Sequence, residues 1–245
     1  MELAGRPVET DLSPASWVAA ALAGQQFGTV ASLVPPVFEG YVRLLHPAVR
    51  YQGDADVDVP WSQVAAGNGR TAHRLMQWPS ITGSWDYVRE DDQPELWNGA
   101  PAEGHLPASL AARLAGLLTP HTATAADCVF GLWDGYGFVA SGDRVPRLPA
   151  PGRSYLLLRG EVGLAAANLA PEPWEQSANL WWPADRRWCV ATDVDLMSTY
   201  VGGSVRLVDQ LLTGPGLEAW PAEPEDPVGY AADTVNPPPV DGPLP

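Results

Sequence analysis

The stretch Trp181–Ser204, "WWPADRRWCVATDVDLMSTYVGGS", is central to the fold prediction because it combines strand, turn and helix signals. "NLWWP" and "RRWCVATDVDL" are rich in aromatic and β-branched residues, and the intervening "ADR" is typical of a hairpin connection. Gly202 and Gly203 then predict a turn, and Ser204 predicts the N-cap of the helix "SVRLVDQLLTG". We therefore expect a hairpin, a turn and a helix in this order.

Working outward, helical periodicity bounded by proline or glycine predicts further helices in "SPASWVAAALAG", "PWSQVAAGNG" and "LPASLAARLAGLLTPH". Strand-like runs are "FEGYVRLLHP", "SWDYVRE", "DCVFGLW", "SYLLLRGEV" and "LEAWPA". These elements alternate without a repeating βαβ rhythm. The predicted fold class is α+β, a single domain with a mostly antiparallel sheet and helices packed on it.

Composition sets the expected domain boundaries. We predict a flexible N-terminus over residues 1–12 and the α+β domain over residues 13–222. The last 25 residues, from Pro221, hold eight prolines, five acidic residues and no basic residue. Such a composition predicts a disordered acidic tail over residues 223–245.

Charge and cysteine content narrow the function classes. All 14 basic residues are arginines, and the net charge of −15 disfavours binding to nucleic acid or to an anionic membrane. The chain has no run of about 18 apolar residues that would predict a transmembrane helix, and its first residues do not resemble a secretory signal. Cys128 and Cys189 lie in apolar runs, which is typical of buried thiols in a reducing compartment. We expect a cytoplasmic protein.

Asp193 and Asp195 are the candidate catalytic or metal-binding pair. On a strand they would project from one face, about 7 Å apart, and could share a divalent cation through water, with Ser198 and Thr199 adding oxygens. Gly202, Gly203 and Ser204 would let backbone amides face an anion at the helix N-terminus. Such a site would support a metal-assisted hydrolase or transferase. We prefer the structural alternative, a solvent-facing strand and an ordinary helix cap, and an arginine partner such as Arg159 would favour it.

Other catalytic motifs are missing from the sequence. Neither a G-x-S-x-G elbow nor an H-E-x-x-H zinc motif occurs, and the four histidines are scattered. No cofactor is predicted beyond the possible divalent cation.

The 11 tryptophans are the most unusual feature of the composition. Core packing is the preferred interpretation, since tryptophan is usually buried. Adjacent strand residues point to opposite faces, so the alternative is that one of Trp181 and Trp182 is exposed or lies at an interface. Together with Arg186 and Arg187, an exposed indole would form a hot spot for a protein partner.

The chain resembles a group of proteins without an assigned activity from high-GC Gram-positive bacteria. The resemblance rests on "VPPVFEGYVRLLHPA", "FGLWDGYG", "SYLLLRG" and "NLWWPADRRWCVATDVDLMSTYVGGS", and it implies no catalytic residues. The shorter "LPASLAARL" is similar to the SMI1/KNR4-like immunity proteins, which gives a second alternative. The leading hypothesis is a non-enzymatic binding protein whose acidic, tryptophan-bearing surface takes a protein or small-molecule partner.

Overall fold

The stretch Trp181–Ser204 lies in the middle of a large antiparallel sheet. A computed structural model describes residues 1–53, 55–85, 93–139 and 145–239. The helices are α1 (Ser16–Leu22), α2 (Trp61–Gly67), α3 (Trp78–Thr82), α4 (Ala108–Leu118) and α5 (Val205–Thr213). The strands are β1 (Glu2–Leu3), β2 (Arg6–Pro7), β3 (Gly40–Leu45), β4 (Ala48–Gln52), β5 (Ala55–Val59), β6 (Cys128–Trp133), β7 (Leu148–Ala150), β8 (Arg153–Gly160), β9 (Leu180–Pro183), β10 (Cys189–Ala191), β11 (Ser198–Gly203) and β12 (Glu218–Ala222).

The main sheet runs in the order β12-β3-β11-β10-β9-β6-β8-β7, and every neighbouring pair in it is antiparallel. Near its centre, Val190 of β10 lies opposite Trp181 of β9 on one side and Val201 of β11 on the other. The hairpins β1-β2 and β4-β5 form separate two-stranded sheets. The predicted α+β fold with an antiparallel sheet and packed helices is confirmed.

Both faces of the sheet are covered. One face carries Phe130, Trp181 and Val190, which pack in a core with α4 and α5. The opposite face carries Trp182 and Tyr200, which pack in a second core with α1 and the 3-10 turn over residues 30–32. Since successive strand residues alternate between the faces, two covered faces bury every position of the central strands.

A third core lies beside the end of β3. Trp78 of α3 contacts Trp61 of α2 and Trp97, with ring centroids 5.4 and 5.1 Å apart. All three indoles are buried, next to Leu45 and Met197. Trp181, Trp182 and Trp188 are buried as well, so the tryptophan side chains of this protein lie mainly in its cores.

The first residues differ from the predicted flexible segment. Leu3 and Val8 are buried in the core of α4 and α5. The Glu9 amide donates a hydrogen bond to the Leu157 carbonyl of β8, at 2.8 Å. This backbone hydrogen bond and the burial of two apolar side chains fix the segment on the domain. The length and polarity of the segment alone do not indicate these contacts.

The acidic tail also differs from the prediction over residues 223–239. Asp226, Asp233 and Asn236 are buried. The Asp233 carboxylate accepts hydrogen bonds from the Gln77 amide and the His73 ring, and Asn236 pairs with both backbone polar groups of Thr71. The tail is thus held by specific polar contacts that compensate for its low hydrophobicity. Residues 240–245 lie outside the described residues.

Asp233 shows how firmly the tail is held. Burial raises the pKa of its carboxyl, but hydrogen bonds from Asn236, Gln77 and His73 outweigh burial and leave that pKa below its usual value. A separate ion pair joins Arg74 to Asp226.

Cys128 and Cys189 are free and buried, in the cores on opposite faces of the sheet. Burial raises the pKa of Cys128 to about 12 and raises that of Cys189 as well. Both thiols are therefore protonated and unreactive at neutral pH.

Two further sequence predictions concern a strand and the membrane. The strand predicted in "SWDYVRE" falls largely on residues 86–92, outside the described residues. None of the helices in the described ranges combines the length and the apolar character needed to cross a membrane.

Candidate functional site

Asp193 and Asp195 lie in the connection between β10 and β11, so the prediction that they occupy a strand is wrong. The carboxylate of Asp193 accepts a hydrogen bond from the Asp195 amide at 3.1 Å. This local bond favours a turn over an extended strand. The chain reverses here, and Ala191 of β10 pairs with Tyr200 of β11.

Arg153, at the start of β8, joins the two carboxylates. Its Nε and Nη2 atoms donate to the two oxygens of Asp193 at 3.1 and 3.0 Å, and Nη2 also donates to Asp195. The guanidinium lies between the rings of Phe27 and Trp133, 5.8 and 5.5 Å from their centroids. Asp193 is buried, whereas the Asp195 side chain is 73% exposed. Arg153 thereby compensates one of the two negative charges of the pair.

These contacts favour the structural alternative for Asp193 and Asp195. The arginine partner is Arg153, while Arg159 binds Asp127 at 2.6 Å. Among the described residues, no group of three or more His, Cys, Asp and Glu side chains is arranged to hold a metal ion. A shared cation would have to displace Arg153 and would find no third ligand within that part of the chain.

Ser198 and Thr199 are buried on β11 and already have partners. Ser198 Oγ accepts a hydrogen bond from Arg43 Nε at 3.2 Å. Thr199 Oγ1 lies 2.6 Å from Thr192 Oγ1 and 2.9 Å from His46 Nε2. Both hydroxyls serve internal hydrogen-bond networks, so the prediction that they join the aspartates in a ligand site is not supported by their contacts.

His46 ends one of these networks and is completely buried. Its Nδ1 lies 2.6 Å from the Ala102 carbonyl oxygen, which can only accept. Nδ1 therefore carries the proton, and Nε2 accepts from the Thr199 hydroxyl. Desolvation by burial lowers the pKa of His46 to about 4, which keeps the ring neutral at physiological pH.

Gly202 and Gly203 form the end of β11, opposite Tyr41 and Gly40, so the predicted turn at these glycines is wrong. Close packing explains their small size. A Cβ on Gly202 would lie 2.5 Å from Phe38 Cδ2, and one on Gly203 would lie 2.5 Å from Leu207 Cδ2.

The start of α5 is also occupied. Ser204 is the N-cap, as predicted, and accepts a hydrogen bond from the Leu207 amide at 3.3 Å. The Val205 amide donates to Glu39 Oε2 at 3.1 Å. A carboxylate of the chain itself therefore fills the position predicted for an anionic ligand.

Trp181 and Trp182 are each only 1% exposed, so the preferred interpretation, core packing, is confirmed and the interface alternative is wrong. They do point to opposite faces of the sheet, as predicted, but both faces are covered. Arg186 and Arg187 are exposed at the tip of the β9-β10 hairpin. The two arginines of the predicted hot spot are therefore exposed, but the two tryptophans predicted beside them are not.

An open groove lies next to these arginines, and we call it the arginine groove. It encloses about 570 Å³. Its lining residues are Val37, Phe38, Glu39, Pro120, His121, Thr122, Ala123, Asp185, Arg186, Arg187, Gly203 and Ser204. Four predicted site residues thus share one surface feature.

Sequence reasoning missed a second exposed feature, Trp174. Its side chain is 67% exposed, and it belongs to a run of five exposed residues, Pro171 to Glu175. We call residues 168–176 the tryptophan loop. The local sequence "APEPWEQS" contains the signal, because a tryptophan between prolines and glutamates has few apolar neighbours along the chain.

Polar contacts fix the backbone of the tryptophan loop. Asn168 Oδ1 accepts from the amides of Ala170 and Gln176 at 3.0 Å, and its Nδ2 donates to the Trp174 carbonyl at 2.8 Å. The Leu169 amide donates to the Gln176 carbonyl at 2.8 Å, closing the base of the loop. The loop therefore holds an exposed indole on an ordered backbone.

Comparison with family models, with curated proteins and with solved structures finds no match for this chain.

Proposed function

We propose that this protein is a non-enzymatic interaction protein that binds a basic protein partner through the tryptophan loop. The observation that carries the proposal is Trp174, which is 67% exposed on a hydrogen-bonded backbone. Tryptophan is the residue type most enriched among energetic hot spots of protein interfaces. The tryptophans that are less than 2% exposed are core residues. The exposed indole of Trp174 differs clearly from them.

Pre-organisation supports a binding role for the loop. Asn168 forms hydrogen bonds with three backbone polar groups of the loop. The loop therefore has its conformation before any partner binds. A rigid loop loses less conformational entropy on binding than a flexible one. The indole has only two side-chain torsions left to order, which keeps the remaining cost small.

Charge supports a basic partner. Glu172 and Glu175 flank Trp174 and are exposed, and the whole chain carries a net charge of −15. A field of this sign speeds the encounter with a basic protein and repels acidic ones. We expect association to slow as salt is added, because the Debye length shortens.

The internal contacts of the other candidate residues support binding over catalysis. Asp193 and Asp195 are joined to Arg153, and Ser198 and Thr199 to buried networks. The two protonated, buried thiols support the further proposal of a cytoplasmic location. The SMI1/KNR4-like alternative is a special case of this proposal, since an immunity protein acts by binding another protein.

The test uses three immobilised proteins as baits for cell extract: wild type, Trp174→Ala and Tyr51→Ala. Tyr51 is also exposed, at 61%, but lies on β4, so its variant is the matched control. We expect a basic protein to be retained by wild type and Tyr51→Ala but not by Trp174→Ala. With that protein purified, the dissociation constant should rise by about thirtyfold in Trp174→Ala, equivalent to about 2 kcal/mol.

The proposal fails if no protein distinguishes Trp174→Ala from the other two baits. It also fails if the retained protein binds the purified Trp174→Ala variant with unchanged affinity. Circular dichroism of each bait ensures that a loss of binding does not reflect unfolding.

A further inference from the structure

We propose that the arginine groove is a second binding site, which takes an acidic, extended peptide segment of a protein partner. The proposal is independent of the tryptophan loop, because the two sites share no residue and favour partners of opposite charge. It rests on the backbone of Arg186, on the free guanidinium groups and on the apolar rim of the groove.

The Arg186 backbone adopts a left-handed conformation, with φ of 59°. Its amide donates to the Pro183 carbonyl at 2.9 Å and closes the tight turn of the β9-β10 hairpin. Glycine fits this conformation without a steric penalty, whereas a residue with a Cβ is strained in it. Strained non-glycine residues concentrate at functional sites, which makes the Arg186 side chain a candidate for a binding role.

Aromatic side chains orient the Arg186 guanidinium. Its Cζ lies 5.7 Å from the ring centroid of Trp17. Trp17 in turn meets Phe38 and Trp182 edge-on, at 6.2 and 6.0 Å. The contact with Trp17 limits the motion of the guanidinium, whose planar N–H groups can form paired hydrogen bonds with a carboxylate.

Neither Arg186 nor Arg187 forms an ion pair within the described part of the chain. The two carboxylates in the groove have other partners. Glu39 accepts from the Val205 amide, and Asp185 accepts from the Thr122 hydroxyl and the Ala123 amide, each at 2.8 Å. The arginines are therefore the groups available to an incoming ligand.

The rim of the groove adds apolar contacts. Val37 lines the groove and is 61% exposed, and Val205, next to the lining residue Ser204, is 54% exposed. An extended peptide that alternates acidic and apolar side chains would place carboxylates at the arginines and an apolar group at the valines. Extended peptides present successive side chains to opposite sides, which fits this mixed surface.

The global charge separates a peptide from other anionic ligands. Nucleic acid and anionic membranes extend far beyond the groove and would meet the repulsion of a chain with net charge −15. A short peptide segment interacts mainly within the groove, because charges beyond about 8 Å are largely screened at physiological salt. An acidic peptide is thus the occupant that the charge distribution favours.

The test measures fluorescence polarisation of a labelled peptide in which glutamate and leucine alternate. Wild type is compared with Arg186→Gly, which removes the guanidinium and relieves the backbone strain, and with Arg187→Ala. Arg6→Ala is the matched control. Arg6 is exposed on β2, so this substitution removes the same charge away from the groove. We expect wild type, Arg6→Ala and Trp174→Ala to bind equally, and each groove variant to bind about tenfold more weakly.

The thermal midpoint of Arg186→Gly should equal or exceed that of wild type, which separates lost binding from lost folding. The proposal would be overturned by no binding by wild type or by equal weakening in Arg6→Ala. Equal binding of a peptide with glutamine for glutamate, or preferred binding of a single-stranded oligonucleotide, would also overturn it. Self-association of wild type in sedimentation equilibrium that Arg186→Gly abolishes would instead identify a second copy as the occupant and overturn the peptide assignment.

Discussion

Two acidic loops of this protein use their carboxylates in opposite ways. In the connection between β10 and β11, Asp193 turns inward to Arg153, which also binds the exposed Asp195. In the tryptophan loop, Glu172 and Glu175 remain exposed beside Trp174. Both segments carry two acidic residues within a few positions, and the different use of these residues follows from what the fold places next to them. The half-buried Arg153 makes the first loop part of the scaffold. Among the described residues no ion pair involves Glu172 or Glu175, which leaves the second loop available for binding.

The largest expected effect tests the inward-turned loop. Arg153→Met would leave Asp193 buried without its cation, and we expect a loss of about 3–5 kcal/mol in the free energy of unfolding. The measurement is urea denaturation followed by tryptophan fluorescence. Arg159→Met is the control, because the Arg159–Asp127 pair is exposed and should contribute less than about 1 kcal/mol. Equal effects of both substitutions would contradict the scaffold role of Arg153.

The second effect concerns the network beneath the same loop, where Thr192 and Thr199 connect to His46. The pKa of His46 is about 4 in the folded protein, against an ordinary value of 6.5. Between these values the unfolded chain binds a proton that the folded chain does not, so stability is retained above pH 6.5 and falls as the pH decreases toward 4. We expect this group to remove about 3 kcal/mol over that interval.

The measurement is the free energy of unfolding as a function of pH for wild type and His46→Gln. The variant should show a shallower decrease in the acidic range, whatever its stability at neutral pH. His121→Gln, at a half-buried histidine that hydrogen-bonds to Gln210, serves as the control. Parallel curves for wild type and His46→Gln would show that the His46 ring is not held neutral.

The smallest expected effect belongs to the outward-facing loop. Trp174→Ala should change the free energy of unfolding by no more than about 0.5 kcal/mol, because the side chain makes little use of the core. Trp182→Ala is the comparison and should cost about 3–5 kcal/mol, since that indole is buried. Chemical denaturation of both variants checks the contrast. A large loss of stability in Trp174→Ala would remove the basis for treating the loop as a binding surface.

Local signals predicted most elements of the fold. Proline boundaries marked α4, and Ser204 marked the start of α5. Apolar runs marked β6 and β8. These signals depend on residues a few positions apart, and so they can be recognised along the chain.

The arrangement of the candidate site could not be predicted, because it depends on contacts between residues that are distant in the sequence. Nothing near Asp193 indicates that Arg153, 40 positions earlier, would bind it. The burial of both Trp181 and Trp182 required knowing that α1 covers one face of the sheet while α4 and α5 cover the other. Gly202 and Gly203 were mistaken for a turn because close packing against Phe38 and Leu207 requires the same residue type.

The docking of the C-terminal segment has a consequence for the order in which the protein is made. Thr71, His73 and Gln77 leave the ribosome 156 to 165 residues before their partners Asp233 and Asn236. The region around α3 therefore stays incomplete until residue 236 has been synthesised, and a nascent chain halted near residue 223 would expose these polar groups to chaperones and proteases. Folding of this region is thus completed only after the last strand of the sheet, β12, has been made.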